Sequence, residues 1–215
     1  LIAFHVPPLF VTLTTGTIIL AVTIFMCEDD LKTTVTAFYA SLIVMGILLL
    51  LIIGVEHWAM VQGFGPEDSE DLEGMSILIG ISYLKVAVTT TILSTLGAIA
   101  EAAMAVAAGL TEVLNAHPDI STAQIMKSGM AIGGQIIGTT FNTLFFGFFG
   151  GFLTLFIWFA GLHYSFGTIM NNKIFVAEMI MVLTSFIGVL LTVPITAWIM
   201  GLRKKSVVDS FGENK

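Results

Sequence analysis

Charged and amide side chains are scarce in the apolar parts of this chain, and the few that occur there are the ones able to do chemistry. Glu101 stands among Ala100, Ala102, Ala103 and Ala105, and Glu178 lies at the start of the last apolar stretch. Between them the uncharged run from Gly129 to Gly151 carries Gln135, Thr139, Asn142 and Thr143. On a helix these four share one face, because residues three and four apart are neighbours. In hydrocarbon, an amide or carboxylate needs a partner inside the protein, a water-filled cavity or a bound cation. The chemistry they suggest is the binding and passage of a small solute or ion. Patterns for bond-making chemistry are missing: the sequence holds no HExxH, CxxC, DxD, GxSxG or Walker motif. His5, His57, His117 and His163 lie on different segments, and a lone His beside Trp or Tyr reads as an interface anchor. Cys27 is the single cysteine, which leaves no internal disulfide and no Cys cluster for a metal. No enzyme activity, metal or other cofactor is expected.

These side chains need a membrane scaffold to position them, and the composition provides one. Of 215 residues, 56% are hydrophobic and 11% charged, with a mean hydropathy of +0.99. A soluble domain carries about 25% charged residues. The formal net charge of −7 shows no clustered basic surface, which argues against nucleic acid as a partner. The fold class expected is all-α: a polytopic transmembrane bundle with about five spans, whose main partner is the lipid bilayer.

The spans read as follows. Val6 to Met26 has the roughly 20 apolar residues that a bilayer core requires, with Pro7 and Pro8 where proline costs a helix least. Residues 33–55 form a second span, placed against lipid at the bundle edge. Residues 61–75 are a polar loop with five carboxylates and no Lys or Arg, read either as a cation-attracting mouth or as a solvated external loop. A third span over 77–98 is expected to continue as a helix beyond the membrane. This puts Glu101 near the inner boundary and leaves Lys85 free to snorkel. Asn115–Asp119 breaks that helix. Ser121 and Gln124 form a capping-box pattern that starts a short helix. That helix leads into the span starting at Gly129, read as the centre of the bundle and ending with Trp158. Its Gly134 and Gly138 form a GxxxG pair for close helix packing. The last span covers about 175–200, with Pro194 expected to kink it near Leu190.

Arg203, Lys204 and Lys205 place the C-terminus in the cytoplasm by the positive-inside rule. Residues 1–202 then form the transmembrane domain and 203–215 a polar cytoplasmic tail. Counting back puts the acidic loop outside and leaves the N-terminus external. A further span or a cleaved signal is therefore expected before Leu1.

The run LGAIAEAAMAVAAGLTEVLNAHPDISTAQIMKSGMAIGGQIIGTTFNTL, from Leu96 to Leu144, resembles the YibE/F-like family of bacterial multi-pass membrane proteins. Gly97, Ala98, Glu101, Ser128, Gly129, Met130, Gly133, Gly138, Thr139, Asn142, Thr143 and Leu144 match its pattern. In the last span Glu178, Gly188, Leu191, Thr192, Pro194, Ile195 and Thr196 match as well. The resemblance covers about residues 76–200, and residues 1–60 agree in hydropathy only. The chain departs from the pattern in having Glu101 where the family usually has Asp, Gly134-Gln135 where it has Arg-Asp, and Met181 where it has Arg. An intramembrane charge network at those positions is therefore not carried over. The resemblance implies a bacterial cell-membrane protein, often one of two related products that act together.

Two functions fit these residues. The first is a permease or transporter subunit for a small solute or ion, using Glu101, Gln135, Thr139, Asn142, Thr143 and Glu178 as an intramembrane polar site. The second is a non-transporting subunit, in which the same glycines and amides bind other helices of a homo-oligomer or of a related membrane protein.

Overall fold

The computed structural model describes residues 8–27, 30–59 and 83–212, and they are almost entirely helical. The helices are α1 (Pro8–Cys27), α2 (Leu31–Ala59), α3 (Tyr83–Ala116), α4 (Thr122–Gly151), α5 (Leu153–Gly161), α6 (Phe166–Met170) and α7 (Lys173–Gly212). Four are long and apolar enough to cross a membrane, and the bent pair α4–α5 brings the number to as many as five. The acidic loop 61–75 and the side chains of Lys85 and Glu178 lie outside the described residues.

Local sequence explains most helix ends. α1 starts at Pro8, whose fixed φ suits a first turn. Thr14 and Thr17 turn their hydroxyls back onto carbonyls of their own helix at 2.7–2.9 Å, as expected for threonines in an apolar helix. The Asp30 carboxylate caps α2 by accepting from the Thr33 hydroxyl at 2.7 Å and the Thr33 N–H at 3.0 Å. These two bonds hold its carboxyl below the ordinary carboxylate value. A depressed folded pKa stabilises above the unfolded value of about 3.9, and the gain fades as pH falls through the folded value. Asp30→Ala should therefore lower stability by about 1 kcal/mol at neutral pH, and a melting series should show the difference shrinking in acid. The capping box forms as expected, Ser121 and Gln124 each bonding the other's backbone N–H. α5 ends in a Schellman turn: Tyr164 N–H bonds Phe159 O, His163 N–H bonds Ala160 O, and the Phe159 and Tyr164 rings stack. His163 sits at φ 53° in this turn. His163→Gly should therefore raise the melting temperature slightly, by about 1 kcal/mol of relieved strain.

The centre of the bundle is α3, not α4 as the glycine-rich run suggested. α3 packs against α1, α2, α4 and α7. Its Ile99, Ala103, Val106, Ala107 and Leu110 are wholly buried. Small alanines let four neighbours come close to it. α2 buries one side against α1, α3 and α7 and exposes Ile43, Ile47, Leu50 and Ile53 on the other.

Residues 77–82 of the expected third span lie outside the described residues; among the described residues the apolar part of α3 is Thr91–Ala116, which includes Glu101, roughly 15 Å from Thr91 along the axis. Three further expectations change. The span after Gly129 does not run straight to Trp158. It breaks at Phe152, where α5 leaves α4 at 47°. α7 is one helix from Lys173 to Gly212 with Pro194 inside it, and it carries on past the Arg203–Lys205 cluster, where a polar tail was expected. Finally, a Cβ at Gly134 or Gly138 would meet nothing within 4 Å among the described residues. The close contact is made in another register by Gly129 and Gly133, which lie against Ala197 and Val193 of α7.

One end of the bundle is tied by polar contacts. Arg203 donates to Lys32 O at 2.8 Å and to the Thr36 hydroxyl at 2.9 Å. Lys204 donates to Ile120 O, and the Thr33 and Thr111 hydroxyls meet at 2.6 Å. The start of α2, the end of α3, the turn before α4 and the end of α7 therefore share one side, as the span count requires.

Candidate functional site

The break at Phe152 opens a cleft of about 250 Å³. Its walls come from three helices: Ser94 of α3, Thr143, Gly147 and Gly151 of α4, and Met181 and Ser185 of α7. Rings hold the break in shape. Phe148 stacks on Phe152 with centroids 5.1 Å apart, and Phe175 packs edge-on against Phe148 at 5.9 Å. Behind the cleft the Ser185 hydroxyl meets that of Thr95 at 2.6 Å, and Thr95 donates onward to Thr91 O. The C-terminal end of α4, with the negative end of its dipole, lies at this cleft.

Exposed polar residues continue along α3 and α4 beyond it, and the seam between them is called the α3–α4 groove below. Two contacts fix how α3 and α4 run past each other. A side chain on Gly109 would meet Ile132 at 3.0 Å, and Ser94 shares the cleft with Thr143 and Gly147. Both anchors belong to one antiparallel register, which brings Glu101 level with Thr140. Ser94, Gly97 and Glu101 recur at helical spacing on the exposed side of α3. Thr143, Thr139 and Gln135 do the same on α4, on the side that Ile132 turns toward α3. The two stripes start together at the cleft, where Ser94 and Thr143 share a wall. Gly97 leaves the groove open, with nothing within 4 Å of it.

The groove is chemically unfinished. Glu101, Gln135 and Asn142 are exposed, and none has a hydrogen-bond partner among the described residues. Thr139 and Thr143 bond only to carbonyls of their own helix. Beside them Thr140 is 3% exposed, and its hydroxyl has no partner among the described residues. Of the sequence-derived site residues, Thr143 lines the cleft; Gln135 and Thr139 continue its exposed stripe along α4, and the helix register sets Glu101 level with Thr140. Asn142 lies one helical step farther round α4. Glu178 falls two turns before Ser185 in α7, with its side chain outside the described residues. Sequence reading missed Ser94, Met181 and Ser185, which line the cleft. Met181 is one of the positions where the chain departs from the family pattern, and that was the available signal.

A bundle of membrane-length apolar helices around a polar groove defines an integral, multi-pass membrane protein. The YibE/F-like protein family matches residues 1–206, so the chain belongs to that family and the match takes in its first two helices. No curated protein and no solved structure matches the chain.

Proposed function

We propose that this chain is a permease subunit that moves a small cationic solute or ion across a bacterial cell membrane, with the Arg203 end in the cytoplasm. The observation that carries this reading is Glu101: an exposed carboxylate within the apolar stretch Thr91–Ala116, on the helix whose Ser94 joins Thr143 of α4 in the cleft at the α4–α5 break. A charge at bilayer depth costs about 2.5–3.5 kcal/mol or more, and such residues mark ion and substrate pathways. Broken helices lined by polar groups are how secondary transporters build midplane sites.

The groups have separable roles. The Glu101 carboxylate neutralises a passing cation. The hydroxyls of Thr139, Thr143, Ser94 and Ser185 replace part of its hydration shell. The C-terminal end of α4 adds a favourable partial charge at the cleft. No covalent step is assigned to any residue. The exposed amides of α4 also favour a role in assembly, and the two roles are compatible.

Proteoliposomes holding the full-length protein should take up at least one of rubidium, manganese or methylammonium faster than empty vesicles. Uptake of none of the three would remove the permease reading.

A further inference from the structure

Two of the hydroxyls that line the cleft have already given their hydrogens to the protein. Thr143 donates to Thr139 O at 3.1 Å. Thr95 spends its one hydrogen on Thr91 O, so the hydrogen in its 2.6 Å contact with Ser185 belongs to Ser185. Both cleft oxygens therefore present lone pairs alone, and Ser185, 3% exposed, is held in that state by Thr95. Ser94 has no hydrogen-bond partner among the described residues and can accept as well. α4 ends at Gly151, another lining residue, and the last carbonyls of a helix are left for outside donors. We propose, resting on the permease reading, that the cleft binds a primary alkylammonium ion of a few carbons, with its N–H groups on Ser94, Thr143 and Ser185.

Sign, number, polarity and size all select that class. A wall of acceptors at the negative end of the α4 dipole favours a cation that carries N–H donors and disfavours an anion. None of the described residues lining the cleft is charged. Glu101, two turns from Ser94 on the same helix and roughly 10 Å along it, supplies the counter-charge. A hard divalent cation takes about six or more oxygens. The three cleft hydroxyls fall short of that, whereas a primary ammonium has three donors to place. The rest of the wall is apolar, with Phe148, Phe152, Met181 and Val182. It does nothing for a bare ion and covers a short carbon chain. Drug-sized ligands occupy clefts of about 300–1,000 Å³, so a cleft of about 250 Å³ holds a smaller molecule.

The test is uptake into proteoliposomes holding the full-length protein. Radiolabelled methylammonium should enter faster than into empty vesicles. Unlabelled ions should compete in the order propylammonium, ethylammonium, methylammonium, by about fourfold for each methylene buried on the wall. Thr143→Val keeps the shape of the side chain and removes an acceptor, so uptake should fall at least about tenfold. Gly147→Leu should abolish uptake by filling the cleft, since a Cβ there meets nothing within 4 Å. Unchanged melting temperatures will show that both variants fold, and Ser94→Ala, at an exposed position, repeats the loss of an acceptor should either melt early. Entry of rubidium or manganese without methylammonium would overturn the alkylammonium assignment and leave the permease reading standing. Methylammonium uptake that no folded variant lowers, or that propylammonium does not compete, would overturn the assignment to this cleft. Uptake of none of the three ions would remove the permease reading and the ligand with it.

Discussion

Gly133→Ala should destabilise the bundle by about 1–3 kcal/mol, the range for overpacking a filled interior, and Gly133→Leu by more. A Cβ at this position would stand 2.1 Å from one γ-methyl of Val193, 2.6 Å from the other and 2.9 Å from its Cβ. Val193 is completely buried, and as a β-branched residue it cannot swing aside. Helix association in lipid rests on van der Waals packing rather than on water exclusion, so separating α4 from α7 has little to offset it. The neighbouring Gly134→Ala is the control, since nothing lies within 4 Å of that glycine. Melting in detergent should show a large drop for the first and none for the second. Val193→Ala should recover part of the loss in the Gly133→Ala background. Equal melting temperatures for the two alanine variants would show that α4 meets α7 through another face.

Glu101→Gln should separate transport from folding. The substitution keeps the shape and removes the charge. Among the described residues the carboxylate makes no hydrogen bond that would be lost. Stability should hold or rise, because a neutral amide at bilayer depth costs less than a charge. Cation uptake should fall at least about tenfold, the factor that 1.4 kcal/mol of lost affinity produces. Glu101→Asp should retain intermediate activity. Full uptake in the Gln variant would take the carboxylate out of the path. A drop in melting temperature with uptake per folded molecule unchanged would make Glu101 a structural group.

Much of the fold was legible because local rules decide it. Apolar length set the spans, Pro8 and the Ser121–Gln124 box set helix starts, and threonines closed their bonds locally. What depends on a second helix was not legible. Gly129–Gly133 and Gly134–Gly138 have the same spacing, and only Ala197 and Val193 of α7 decide which pair is buried. The alanines around Glu101 signalled a crowded helix, yet the long glycine run carried the stronger pattern and drew the centre of the bundle to itself. The bend at Phe152 follows the Gly150–Gly151 pair, which the sequence reading passed over in favour of Pro194. The cleft draws on Ser94, Thr143 and Ser185, residues from three helices whose proximity no local pattern encodes.

Single cysteines at Gly97 and Thr139, introduced with Cys27→Ser, test most directly whether the α3–α4 groove is a path for a hydrated cation. A charged, membrane-impermeant methanethiosulfonate reagent reacts only where a thiol is bathed by water. Both positions should react in membranes holding the full-length protein, while a cysteine at Leu50, on the apolar face of α2, should stay inert. Groove cysteines as inert as the one at Leu50 would mean that the groove is dry, and Glu101 would not line a path for solute.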